Sequence, residues 1–420
     1  MRIDIDRYYN KKIIFLFLAL NPCIDFIFSL TNIVFGLKVD IGLNQLIRIA
    51  LILYMAAFIR NKKYIITSLA VGVYMAIGLL VYKFTGITHS WFADIAFSAK
   101  IWCGVVLLFA YIDLYRQKKI DTNLISKALA ISLIIVGGSI IFSAMGLGFE
   151  TYGNNRYGSK GFFNSQNAVG ITLLILISIN WIFYLKSKIN LIALAVGAVA
   201  VILVGTKTAL IGFVGCTVVF LAYELIHNKK IIDFIKKNKG IVITAICAFL
   251  AIVVFLMYSF LSGYFKVVSS YDSIYSILVS NRDLQVEWMK EYIDSGNGNI
   301  LNILFGFGYS SVRNYLQSRK GDFSTVEQDY FGLYYLAGIV LLLIYVCLTI
   351  WIICLILKSI RQHCFSRAML GYSVAFVLGV LHAFFAGHVF GEALSLIYFW
   401  LICAMIRIQS SKEAKNCEKS

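Results

Sequence analysis

The sequence predicts an all-α integral membrane protein of about twelve transmembrane helices. Three observations carry that prediction. Hydrophobic residues fill 60% of 420 positions and charged residues only 14%, with a mean hydropathy of +0.82. A soluble domain is nearer half apolar and a quarter charged, so most of this surface must face lipid. Apolar runs of about 20 residues, enough to cross a hydrocarbon core about 30 Å thick, recur along the whole chain. Basic residues cluster on alternate connections between those runs, the signature of a cytoplasmic side.

The runs fall at 13–34, 41–59, 64–82, 95–114, 124–147, 167–185, 189–204, 208–226, 240–262, 330–357, 368–386 and 391–406. The seventh and twelfth are short, as tilted or partly re-entrant segments are. The basic connections carry Arg7, Lys11 and Lys12, then Arg60, Lys62 and Lys63, then Arg116, Lys118 and Lys119. The pattern continues through Lys186 and Lys188, Lys229 to Lys239, Arg361 and Arg367, and Arg407 with Lys412. With twelve spans, all of these share one side, and both termini are cytoplasmic. The formal net charge of +17 therefore reads as an orientation signal and not as a nucleic-acid surface. Nine cysteines show no CxxC pair and no metal-ligand spacing, so free buried thiols are expected and no metal is. No cleavable signal peptide is expected, because the first apolar run continues directly into more spans.

One connection is unlike the rest. Residues 263–329 form a long polar segment of mixed charge between helices nine and ten, on the extracytoplasmic side. Apolar residues at helical spacing in 271–292 predict amphipathic helices, and SGNGN at 295–299 predicts a turn. The chain thus divides into helices one to nine (1–262), an extracytoplasmic cap (263–329), helices ten to twelve (330–406) and a polar cytoplasmic tail (407–420).

Charged residues at costly places mark candidate sites. Arg48 lies mid-span in GLNQLIRIALILY, where a central arginine costs about 2.5–3.5 kcal/mol on the insertion scale. It serves either a substrate or an interhelical pair with Asp25. Lys207, between threonines in GTKTAL, is either an interface residue or part of a polar pocket. ETYGNNRYGSKGFFNSQNAVG places Arg156 and Lys160 among glycines and amides, including Asn164 and Asn167. That composition suits a phosphate or a sugar, or an ordinary loop with a helix cap. The cap carries Arg282, Arg313, Arg319 and Lys320. Gly306 and Gly308 predict a turn. Glu327 and Asp329, spaced i, i+2, point to different sides of a helix; they are proton acceptors or helix-start acids. His388 is expected at the external end of span eleven, and His382 as a structural histidine.

These pieces occur in an order that resembles the O-antigen ligase/polymerase superfamily, most of all its capsular and exopolysaccharide repeat-unit polymerases of Gram-positive bacteria. The resemblance rests on NPCIDFIF, IRIALILY, RYGSKGFFNSQNAVG, VGTKTALIGF, NRDLQVEW, LFGFGYS, VEQDYFGLYYLAGI and GHVFGEALS. It implies glycosyl transfer without metal or cofactor on the outer face of a bacterial cell membrane. The donor is an oligosaccharide on undecaprenyl diphosphate, and the acceptor is the terminal sugar of another lipid-linked unit. Carried over, Arg156, Lys207 and Arg282 hold the diphosphate, with Arg48 added, while Glu327 or Asp329 takes the proton, Glu327 being preferred. Asn164, Asn167, Arg313 and His388 are candidate sugar contacts. A flippase and a chain-length regulator are the implied partners. The ligase branch carries a histidine–asparagine pair where this chain reads Glu327-Gln328, which weakens a ligase assignment. The alternatives are a ligase-like transferase to another acceptor and a flippase for the same lipid-linked units.

Overall fold

The computed structural model describes residues 5–35, 42–150, 158–228, 282–319, 326–362 and 365–417, with isolated positions at 233, 237–240, 244 and 280. Apart from those isolated positions, the predicted ninth span and the cap up to residue 281 lie outside the described residues, as do Arg156 and Lys320.

The fold is a helical bundle. Its first half comprises α1 (Lys11–Phe35), α2 (Gly42–Ala56), α3 (Lys62–Phe84), α4 (Trp91–Arg116), α5 (Thr122–Phe142), α6 (Gln166–Phe183), α7 (Lys188–Val204) and α8 (Lys207–His227). Three short cap helices follow: α9 (Arg282–Tyr292), α10 (Ile300–Phe305) and α11 (Tyr309–Arg319). The bundle closes with α12 (Asp329–Arg361), α13 (Arg367–Phe385) and α14 (Ala393–Cys417). A two-stranded antiparallel ladder, β1 (Phe149–Glu150) with β2 (Ser159–Gly161), brackets the segment that carries Arg156. Among the described residues, eight helices are long and apolar enough to cross a membrane, and α7 and residues 44–56 of α2 are shorter apolar helices. The protein is an all-α, multi-pass membrane protein.

Helices α6 and α14 sit centrally, buried over most of their apolar length, whereas α3, α8 and α12 turn most of theirs outward. Outward apolar faces are what a lipid solvent requires, and irregular backbone survives there only where other groups satisfy it. Two places show how. Pro22 stands inside α1 and offers no N–H to the Leu18 carbonyl. The hydroxyls of Ser132 and Tyr398 take that role, at 3.2 and 3.1 Å. In α12, Gly338 adopts φ 84° and breaks the helix. A Cβ there would collide with the Leu304 carbonyl of α10, so close approach of two backbones requires glycine. The break frees three consecutive carbonyls. Tyr335 accepts the Phe307 N–H at 2.8 Å, Leu336 accepts the Tyr82 hydroxyl at 2.9 Å, and Ala337 accepts the Tyr74 hydroxyl at 2.6 Å.

The two ends of the bundle differ. At one end, predicted basic connections meet acids: Lys11 with Asp121 at 2.6 Å, the backbone N–H groups of Arg60 and Asn61 with Asp113, and Arg367 with Glu224. At the other end the cap docks. Asp94, 1% exposed at the start of α4, accepts the Ser310 N–H at 2.7 Å and its hydroxyl at 2.8 Å, pinning α11 in place.

Some expectations are corrected. Helix α14 runs on to Cys417, so the polar tail is helical through most of its length. Its residues 393–406 are not a short re-entrant piece but the start of a 25-residue helix. Of the described cysteines, Cys103, Cys216 and Cys403 are buried, whereas Cys347 and Cys354 are exposed on α12. Gly306 and Gly308 form a turn with positive φ, as the sequence predicts.

Candidate functional site

The site is built at the cap end, where α12 begins. The guanidinium of Arg282, the first residue of α9, holds Glu327 through Nε at 2.7 Å and Nη2 at 2.6 Å. Both nitrogens bind the same oxygen, Oε2. One turn along α9, Gln285 is fully buried and accepts the Glu327 backbone N–H at 2.9 Å. Lys207, at the head of α8, lies within electrostatic reach of Arg282. Two cations from different parts of the sequence thus stand near one another, and one of them, Arg282, holds the carboxylate.

Asp329 is engaged differently. Its carboxylate accepts three successive backbone N–H groups, from His388 at 3.1 Å, Val389 at 2.7 Å and Phe390 at 3.2 Å. Gly387 and His388 both have positive φ, 72° and 67°, and this turns the N–H groups toward one point. Such a backbone nest is a ready anion site, here filled by the protein's own carboxylate. A Cβ on Gly387 would collide with the Glu327 carbonyl. The connection between α13 and α14 is therefore laid directly against the start of α12. Glu327 stands two residues before α12 and turns to the cap, whereas Asp329, the first residue of the helix, turns to this connection.

His388 Nδ1 lies 3.8 Å from Glu392 Oε1. Burial works against the charged imidazole, but the nearby Glu392 carboxylate and the charges of Glu327 and Asp329 outweigh it and raise its pKa above the usual value. Burial likewise opposes the Glu392 carboxylate, yet His388 and Lys100 bring it down to about 2. His382 donates its Nδ1–H to the Gly387 carbonyl, 2.9 Å away.

Two adjoining cavities open here. The first, about 120 Å³, is lined by Lys100, Tyr309, Glu327, Asp329, His388 and Glu392 among others. The second, about 360 Å³, is lined by Asp25, Gln45, Arg48, Lys100, Asn164, Tyr309 and Glu392 among others. Lys100, Tyr309 and Glu392 belong to both.

The structure thus joins Glu327, Asp329, Arg282, Lys207 and His388. Arg313 stands within electrostatic reach of Tyr309, which lines both cavities. Arg48 is drawn away from a role as an open cation. It binds Asp25 in bidentate fashion, at 2.9 and 2.7 Å, and donates to Asn21 at 2.7 Å, so the interhelical pair left open by the sequence is what forms. Asn164 lines the larger cavity, whereas Asn167 lines neither. Lys160 donates to the Asn164 carbonyl at 3.3 Å, and its burial lowers its pKa. Sequence reasoning missed Lys100 and Asp94. Lys100 is a charge inside the apolar run of α4, the same signal that singled out Arg48, and Asp94 stands just before that run.

No curated protein matches the chain. The profile of a family described as O-antigen ligase like membrane protein matches residues 7–272 and 265–413, nearly the full length. This protein therefore belongs to the O-antigen ligase-like family of membrane proteins, and its activity is of the glycan-transferring kind.

Proposed function

We propose that the protein is a polysaccharide repeat-unit polymerase of the bacterial cell membrane. In this reading it transfers a glycan from undecaprenyl diphosphate to the terminal sugar of another lipid-linked unit, on the outer face and without a metal. The observation that carries the reading is the Arg282–Glu327 pair beside Lys207, opening on a polar cavity at the cap end. Basic connections gathered at the opposite end support placing that cavity outside.

The chemistry asks little beyond position and charge. The acceptor hydroxyl oxygen bonds to the anomeric carbon of the donor sugar. The bond from that carbon to the diphosphate oxygen breaks, and its electron pair leaves with the diphosphate. The hydroxyl proton passes to Glu327, whose Oε1 takes neither contact from Arg282. A guanidinium binds phosphate and carboxylate with the same fork. A diphosphate that competes for Arg282 loosens its hold on Glu327 and so makes the carboxylate a better base once the donor has arrived. Lys207, and Arg156 by the resemblance, add positive charge where the leaving group gains negative charge. Asp329, occupied by three N–H groups, positions the 387–390 connection. Arg48, neutralised by Asp25, is assigned to the wall of the larger cavity.

Purified protein in vesicles, supplied with extracted lipid-linked repeat units, tests this. The proposal expects longer lipid-linked glycans in the presence of EDTA, and loss of that product in Arg282→Ala. Translocation of units without elongation would instead make the protein a flippase.

A further inference from the structure

Resting on the reading above, we infer that the larger cavity is the binding site for the sugars of the acceptor. Four observations lead there. First, the cavity is built from six separate parts of the protein: α1 through Asp25, α2 through Arg48, α4 through Lys100, the approach to α6 through Asn164, the cap helix α11 through Tyr309, and the start of α14 through Ala393. Its volume of about 360 Å³ is in the range of small-molecule sites.

Second, its lining suits an uncharged polyhydroxyl ligand. Asn44, Gln45 and Asn164 offer amides, Ser29 and Ser165 hydroxyls, and Phe163 and Tyr309 aromatic faces. The charged residues largely neutralise one another. Arg48 is bidentate with Asp25, and Lys100 stands within electrostatic reach of Glu392. A diphosphate demands excess positive charge, which this cavity does not offer; a sugar demands hydrogen-bonding groups, which it does.

Third, it adjoins the reaction cavity and shares three of its wall residues, Lys100, Tyr309 and Glu392. Neither Arg282, Lys207 nor Glu327 lines it. Glu327 lines the smaller cavity and is held by Arg282, so the smaller cavity meets the cation site through that carboxylate. Fourth, the displacement itself has a direction. An attacking hydroxyl approaches the anomeric carbon from the side away from the departing diphosphate, since reacting orbitals must align. With the diphosphate at Arg282 and Lys207, the acceptor enters from the Lys100–Tyr309–Glu392 side, and its remaining sugars occupy the cavity beyond.

Photocrosslinking in cells that make the polymer tests the assignment. The probe is the cell's own lipid-linked glycan, captured by p-benzoylphenylalanine at Gln45 or at Asn164. The control is the same amino acid at Leu225, an exposed position near the far end of α8. Adducts are read by periodate-based glycan staining and by mass, which need no polymer to form. The inference expects light-dependent, glycan-bearing adducts at Gln45 and Asn164 and none at Leu225. It expects the Gln45 adduct to persist when Arg282→Ala is combined with it, because acceptor sugars do not depend on the donor's diphosphate grip. Should one labelled variant fail to accumulate, the other reads the same cavity. Polymer made at normal length with no glycan adduct at either position overturns this inference while leaving the polymerase reading intact. Adducts of lipid alone overturn it too, by making the cavity a tail site. Complementation of a deletion strain, scored separately for polymer, is where failure of the polymerase reading itself shows.

Discussion

Arg282 and Glu327 are 45 residues apart in sequence, yet the guanidinium places two nitrogens within 2.7 Å of one carboxylate oxygen. That contact ties the cap to the start of α12 and sets a cation against the group proposed to take the acceptor proton. Arg282→Ala removes charge stabilisation of the leaving group, an effect on the order of 10²–10³ in rate for a donor of this type. Arg282→Lys keeps the charge but loses the planar fork, so elongation falls by at least about tenfold. Glu327→Gln keeps shape and lowers the rate by about 10²–10⁴ if the carboxylate is the base. Elongation in vesicles, normalised to protein abundance, measures all three.

Asp329 holds three N–H groups of the 388–390 segment. Asp329→Ala leaves them unsatisfied in a buried place, at about 1–3 kcal/mol for each group that finds no water. The expected outcome is a lower melting temperature in detergent and weaker elongation together. Asp329→Asn, with one acceptor oxygen left, falls between. A wild-type melting curve for Asp329→Ala would remove this residue from the frame of the site.

Gly387→Ala tests the contact between connection and helix. The new methyl meets the Glu327 carbonyl, at a residue with φ 72°. Alanine at such an angle costs more than about 1 kcal/mol through strain alone, and the collision adds to it. Membrane abundance is predicted to drop, with a retained minor fraction of low activity. The readout is the amount of monodisperse protein after extraction.

The His388–Glu392 contact makes a pH prediction. His388 has a raised pKa in the folded protein, so the charged imidazole contributes stability that is fully present below its unfolded value of about 6.5. That contribution is lost as pH rises through the raised folded value. Glu392 runs the opposite way: its contribution is present above the ordinary carboxylate range and is lost as pH falls toward about 2. Glu392→Gln returns His388 toward its usual value. The difference in melting temperature between wild type and Glu392→Gln is therefore largest near pH 6 and shrinks toward alkaline pH. A difference that grows with pH contradicts the pairing.

Most of the bundle was legible because lipid imposes a single simple rule on sequence, a run of apolar residues per span. Helix ends were less so. The apolar signal stops at Ile406, but α14 continues because Lys412 and Glu413 find partners in Tyr115 and Ser366. The Arg48–Asp25 pair could be foreseen, since a charge inside a span needs a neighbour on the next. Lys100 needed the same rule and was passed over. The contact of Asp329 with the 388–390 segment leaves no local pattern at all: it joins a helix start to a connection 60 residues away through backbone groups, which carry no side-chain signature. The break at Gly338 is similar. Its meaning depends on Tyr74 and Tyr82 of α3, which look in sequence like ordinary aromatic residues of a span.

The central claim is that the cap end of this bundle moves a glycan off a lipid diphosphate onto another lipid-linked unit. Its most direct test is elongation by purified protein in vesicles, with wild type, Arg282→Ala and Glu327→Gln compared at equal protein. The account predicts a ladder of longer lipid-linked glycans from wild type, released lipid diphosphate in step with each added unit, and neither product from the two variants. Ladders and diphosphate release of wild-type extent from both variants would contradict it.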